Sequence, residues 1–168
     1  MKVIWILILG AISSHIAAAE PKLECYDRSG FIEMTNSQRV RLCTGAVSDA
    51  PFRCFEYRTT IRLTVDQKIS LCQGASSDGP FRCLENSYGR GLSIDQQIKL
   101  CSDASTSYPN QCFDASRDLP LTYDQRVILC GNSTSPDQAI RCFVEAVDRG
   151  LSYDQRVKLC TQLAPSNW

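Results

Sequence analysis

The sequence predicts an all-α protein, a short right-stacked array of αα-hairpins (an α-solenoid), with one disulfide stapling each of five units. Three observations lead to this prediction. The stretch GLSYDQRVKLC, residues 150–160, has four related copies earlier in the chain. The chain contains ten cysteines at regular positions. A helix-start motif accompanies every copy of the repeat.

The repeat has a period of about 29 residues. The first cysteines of successive units lie 29, 29, 29 and 30 positions apart. The units therefore span residues 25–43, 54–72, 83–101, 112–130 and 142–160, separated by short linkers. We expect residues 20–168 to form a single repeat domain.

The spacing of the cysteines favours one disulfide pairing. The two cysteines of a unit are 18 residues apart, whereas the gaps between units are 11, 11, 11 and 12 residues. Pairing within units uses every cysteine, while pairing across the gaps strands Cys25 and Cys160 at opposite ends. The predicted bridges are Cys25–Cys43, Cys54–Cys72, Cys83–Cys101, Cys112–Cys130 and Cys142–Cys160.

The second helix of each unit carries an S/T-x-x-Q capping box, in which each side chain satisfies a backbone N–H at the helix start. An aspartate in the first turn is favoured by the helix dipole. Halfway between the paired cysteines, we expect the chain to reverse into a hairpin. The capping boxes are Thr35/Gln38, Thr64/Gln67, Ser93/Gln96, Thr122/Gln125 and Ser152/Gln155, and the midpoints are Met34, Leu63, Leu92, Leu121 and Leu151.

The linkers carry further signals for helix ends and helix starts. Glycine is favoured just after a helix, and a proline is tolerated in a first turn. We expect Gly45, Gly74 and Gly131 to end helices, and Ser135 with Gln138 to form another capping box. The residue after each first cysteine is predicted to pack between units, the alternative being an aromatic ligand strip; these residues are Phe55, Leu84, Phe113 and Phe143.

In architecture, the array resembles the helical-hairpin repeats of the tetratricopeptide class. The period is shorter here, and the tryptophan, glycine and tyrosine pattern of that class is absent. The resemblance therefore supports the fold and implies no functional residues.

Residues 1–19 have the pattern of a secretory signal peptide. A lysine precedes the apolar run from Val3 to Ile12, and small residues follow up to Ala19, where we expect cleavage. The run is shorter than the ~20 residues of a membrane-spanning helix, so a membrane anchor is the less favoured alternative. We therefore expect a secreted or periplasmic protein with no stable membrane insertion after cleavage.

Cleavage would remove the only histidine, His15, and would leave a net charge near −1. The Ser-His-Asp and Cys-His nucleophile systems and the HExxH zinc sites all need imidazole. Acids and bases are interleaved along the chain, which argues against nucleic-acid binding. We predict no catalytic residues, no metal site and no cofactor.

Two ladders of basic residues are candidate binding positions, because equivalent residues of a solenoid line up along an extended surface. Their alternative is a solvated face whose arginine stems cover apolar neighbours. Charge reversal at Arg126 and Arg156 is predicted to abolish partner capture without changing the melting temperature. The first ladder is Arg39, Lys68, Gln97, Arg126 and Arg156, and the second ladder is Arg53, Arg82, Gln111 and Arg141.

The sequence thus favours a non-catalytic interaction module for another protein or an extracellular polymer. The alternative is a carboxylate-dependent enzyme, such as a glycan hydrolase, which would use Glu33, Glu56, Glu85 or Glu145. A thiol or metal-binding protein is less favoured, because CxxC motifs are absent. Glycosylation of Asn132, self-association and the role of the tail ending in Trp168 stay open.

Overall fold

The computed structural model describes residues 20–161. Within this range the protein is entirely helical, with ten α-helices and no strand. The predicted signal peptide and the last seven residues lie outside the described residues. The helices are α1 Pro21–Arg28, α2 Asn36–Cys43, α3 Ala50–Glu56, α4 Val65–Cys72, α5 Gly79–Ser87, α6 Ile94–Cys101, α7 Tyr108–Ala115, α8 Tyr123–Cys130, α9 Gln138–Glu145 and α10 Tyr153–Cys160.

The helices pair as five hairpins, each made of an odd-numbered and the following even-numbered helix. Odd-numbered helices contact the odd-numbered helices of neighbouring hairpins, and even-numbered helices do the same among themselves. The hairpins therefore stack into two helical layers, as the prediction of a repeat array requires. The direction in which they stack stays a prediction.

Each hairpin is closed by one disulfide, and all five bridges join the predicted partners. The Cα–Cα distances lie between 5.4 and 5.7 Å, within the range that a disulfide spans. No cysteine is free. Every bridge ties the end of an even-numbered helix to the middle of its partner helix.

The capping boxes of all five even-numbered helices are present, with both reciprocal hydrogen bonds formed. The predicted box at Ser135 and Gln138 is wrong, because α9 has Asp137 at its N-cap and no side-chain cap bond. Gly131 is the C-cap of α8, as predicted, but its φ of −56° is one that other residues also adopt. The residue with a left-handed backbone conformation stands two positions after the second cysteine of a unit. In the fourth unit this residue is Asn132.

The core runs through the stack between the two layers. Phe55, Leu84, Phe113 and Phe143 are all buried, which confirms that they pack in the interior. Leu42, Leu71, Leu100 and Leu129 are completely buried, whereas the equivalent Leu159 of the last hairpin is 62% exposed. In the first four hairpins the following unit covers this leucine, whereas no described unit follows the fifth hairpin.

Neighbouring hairpins are joined by a polar contact that we call the Asp–Gln clasp. The Gln67 side-chain amide donates to the Asp95 carboxylate of the next unit across 3.2 Å. The same bond recurs from Gln96 to Asp124 and from Gln125 to Asp154, each across 2.7 Å. The repeated Asp-Gln pair therefore serves both as a helix cap and as a link between units.

The first unit explains one irregularity of the repeat. It has Ser37 where the later units have aspartate, and no preceding unit within the described residues offers a glutamine to that position. Arg41 of the first unit instead bridges Asp66 of the second across 2.9 Å. Between the first two units, the aspartate of the second unit therefore accepts from an arginine, whereas in the later pairs it accepts from a glutamine.

Replacing Gln96 by alanine is expected to cost more than replacing Gln155. Both glutamines cap their own helix, but only Gln96 also holds a clasp in the described structure. One hydrogen bond is worth about 1 kcal/mol, so Gln96→Ala should lower the free energy of unfolding by about that much more than Gln155→Ala. Guanidinium unfolding of the oxidised variants measures the difference, and equal losses would contradict the clasp.

Candidate functional site

The first ladder, which we call the inner ladder, lies inside the hairpins. The Arg39 guanidinium stacks over the ring of Tyr26, with its central carbon 4.0 Å from the ring centroid. Arg126 takes the same position 4.1 Å from the centroid of Phe113, and Arg156 lies 4.8 Å from that of Phe143. Each cation therefore covers the aromatic ring that follows the first cysteine of its unit.

Hydrogen bonds hold these cations in place. Arg126 donates to the carbonyl oxygen of Phe113 across 2.7 Å and to the Ser116 hydroxyl across 3.1 Å. Arg39 makes the same pair of bonds in the first unit. Burial lowers the pKa of the Arg126 guanidinium. The position thus works as an internal brace between the two helices of a hairpin.

Units without arginine at this position show how the brace can vary. Gln97 is buried and bonds to the Ser87 hydroxyl across 3.0 Å and to the Leu92 carbonyl across 2.9 Å. Lys68 is partly buried, with its ammonium 5.4 Å from the centroid of the Phe55 ring. A neutral amide can therefore replace the guanidinium where a serine faces it.

Arg126 and Arg156 are only 7% and 9% exposed. Reversal of their charge is therefore expected to lower the melting temperature, in contrast to the unchanged value that the sequence predicts. The role of the inner ladder in partner binding stays a prediction.

Arg126→Glu should strongly destabilise the fourth hairpin, because it places an unpaired carboxylate against Phe113 and its carbonyl. Leaving a buried charge without its partner costs about 3 kcal/mol. Arg126→Gln, which copies Gln97, should cost about 1 kcal/mol. Arg58→Glu is the control, since Arg58 is exposed in the loop of another hairpin and makes no described ion pair. Denaturant unfolding measures all three variants, and equal stability of Arg126→Glu and Arg58→Glu would contradict the brace.

The second ladder, which we call the outer ladder, lies on the exposed side of the odd-numbered helices. Arg53 and Arg82 are exposed, and each forms an ion pair with the aspartate four residues earlier, Asp49 or Asp78. Gln111 bonds to a serine hydroxyl of its own helix. These arginines are accessible, but two of them are already neutralised by their own helix.

The loops between the two helices of each hairpin form a further surface, which we call the hairpin-tip edge. Two aromatic residues are strongly exposed on it: Phe31 is 93% exposed and Tyr88 is 81% exposed. Both residues lie outside the repeated pattern, which is why a search for ladders misses them. Arginines also collect here, at Arg58, Arg62, Arg90, Arg117 and Arg149.

A shallow groove of about 440 Å³ runs between α4 and α6. Asp66, Gln67 and Asp95 line one part of it, and Ser70, Ile98, Lys99 and Ser102 line the rest. The carboxylates of Asp66 and Asp95 are already engaged by Arg41 and Gln67. The groove is thus a seam between two units with polar contacts along it.

Two of the unassigned acids of the enzyme alternative, Glu56 and Glu85, take equivalent positions in neighbouring hairpins. Glu33, Glu56, Glu85 and Glu145 belong to different hairpins and are all exposed.

Partial burial raises the pKa of the Asp103 carboxyl in the turn after α6. Between residues 20 and 161, no group of three or more histidine, cysteine, aspartate or glutamate side chains could hold a metal ion.

Two observations concern the surroundings of the protein. Five disulfides are typical of an oxidising environment. None of the described helices has the length and apolar character needed to cross a membrane.

Asn132 lies partly exposed in the turn after α8 with a φ of 63°, and its glycosylation stays a prediction.

Comparison of the chain with family models, with curated proteins and with solved structures found no significant match.

Proposed function

We propose that this chain is an exported, non-catalytic scaffold that binds another protein or an extracellular polymer. The observation that carries the proposal is the stack itself. Five disulfide-closed hairpins present an extended surface whose order does not depend on a bound ligand. Helical repeat arrays use such surfaces to hold partners.

The way in which the repeat uses its polar residues supports a non-catalytic role. The aspartates of the even-numbered helices are taken up by the clasps and by Arg41. The buried arginines brace the hairpins. Catalysis needs a singular group of residues held around reacting atoms, whereas the polar positions here repeat from unit to unit and support the fold.

Export supports the same proposal. The signal-peptide pattern of residues 1–19 and the five disulfides both fit a secreted or periplasmic protein. The interleaved charges favour a protein or polymer partner over nucleic acid. No cofactor enters the proposed function.

Immobilised oxidised protein is expected to retain a component of its own extracellular or periplasmic fraction. The matched control is the same chain after reduction and alkylation, which removes the bridges while keeping the sequence. The retained component should be recovered intact by mass spectrometry, because the scaffold does not cleave it.

Two results would contradict this function. Equal retention by the reduced chain would show that the folded surface is not needed. Cleavage of the retained component that disappears in a Glu56→Gln/Glu85→Gln variant would favour the carboxylate enzyme instead.

A further inference from the structure

We propose that the hairpin-tip edge binds an extended, predominantly acidic segment of a partner polypeptide. This inference rests on the proposed scaffold function and names both the surface and the chemistry of the partner. It depends on the placement, the charge and the composition of the tip residues.

The tips lie along one side of the stack in a fixed order. The clasps from Gln67 to Asp95 and from Gln96 to Asp124 join the first turns of neighbouring even-numbered helices, directly beside the tips. Arg90 adds a two-pronged ion pair to Asp114 of the next unit, at 2.9 and 2.7 Å. These contacts hold the third tip in register with the fourth hairpin.

The fold leaves four of the five tip arginines without a described ion pair, Arg90 being the exception, while it engages most other basic residues. Elsewhere, lysines and arginines form ion pairs, bond to carbonyls or lie over aromatic rings. Most of the exceptions are at the tips. Within residues 20–161, the basic side chains without such a contact are Arg58, Arg62, Arg117, Arg141, Arg149 and Lys158.

The residue types at the edge favour a protein partner. Its cations are arginines, whose planar guanidinium group binds a carboxylate through two parallel hydrogen bonds. The exposed rings of Phe31 and Tyr88 accompany them. Arginine and aromatic residues are enriched at protein interfaces, where lysine is depleted. An acidic polypeptide therefore matches the edge in both charge and apolar contact.

Acidic residues at the same edge argue against a uniform polyanion. Glu33, Asp118 and Asp148 are exposed in the loops of the first, fourth and fifth hairpins. They would repel a nucleic acid or a sulfated glycan, whose charge is continuous. A polypeptide can place neutral or basic residues opposite these positions and acidic residues opposite the arginines.

The spacing of the tips fits an extended chain. Packed helices lie roughly 8–10 Å apart, which sets the distance between neighbouring tips. An extended strand advances about 3.3 Å per residue. A carboxylate at every third residue would therefore meet one tip after another, from Arg58 in the second hairpin to Arg149 in the fifth.

Binding of a fluorescein-labelled (Glu-Ser-Gly)₅ peptide to the oxidised protein, followed by anisotropy, tests this inference. The tip variant is Arg58→Gln/Arg117→Gln/Arg149→Gln. The control is Arg53→Gln/Arg82→Gln/Arg141→Gln, which loses the same charge from the outer ladder. We expect the Kd to rise by about tenfold or more in the tip variant and by less than about threefold in the control.

The tip variant should keep its fold, because these arginines make no described ion pair or hydrogen bond, and the one described interaction among them is the repulsion between Arg117 and Arg126. Its circular dichroism and melting temperature provide the check. Tyr88→Ser gives a second variant without any change of charge, and it should also weaken binding of the peptide. A (Lys-Ser-Gly)₅ peptide should not bind.

Several results would overturn the inference. These are no binding of the acidic peptide, equal weakening in the tip and control variants, or tighter binding of heparin or a single-stranded oligonucleotide at the same edge. If the tip variant still retains the natural partner as strongly as the parent protein, the assignment of this edge fails while the scaffold function stands. If the parent protein retains nothing, the scaffold function itself fails.

Discussion

The disulfide that closes each hairpin is the constraint on which the rest of this structure depends. Most helices of the stack have only eight residues, a length that is marginal for an isolated helix in water. A bridge that closes a ring of this size contributes about 3 kcal/mol on a chain-entropy model. Nearly all of the bridged cysteines are also buried, so the bridges form part of the core.

Once the hairpins are closed, different parts of each hairpin make different kinds of contact. The leucine before the second cysteine packs against the next unit, and the Asp–Gln clasp aligns the helix starts. The inner arginines stabilise each hairpin from within. Apart from Arg90 and the serines that accept from the inner arginines, such as Ser116, the exposed tip residues take no part in these contacts, so they can differ from unit to unit without loss of the stack. Specificity for a partner is expected where the repeat varies most.

Much of the fold could be predicted from sequence because its causes are local or periodic. The capping boxes need only residues three positions apart, and the pairing of the cysteines follows from a spacing that recurs in every unit. The second role of Gln67 and Gln96 could not be found in this way, because it depends on which helix lies beside them. Ser37, the exception among the aspartates, was the available signal.

The candidate site was less predictable for a related reason. The periodic arginines suggest an exposed ladder, yet Arg126 and Arg156 are buried against aromatic rings. Sequence spacing gives the face of a helix but not which face meets its partner. The tip residues follow no period, so only the structure brings Arg58, Tyr88 and Arg117 to one edge.

The most direct test of this account is a non-reducing peptide map of the exported protein, with free thiols alkylated before cleavage. The account predicts five bridges between cysteines 18 residues apart and no alkylated thiol. Bridges across the gaps between units, or free thiols in the folded protein, would contradict it. Either result would remove the closed hairpin from which the stack, the clasps and the hairpin-tip edge all follow.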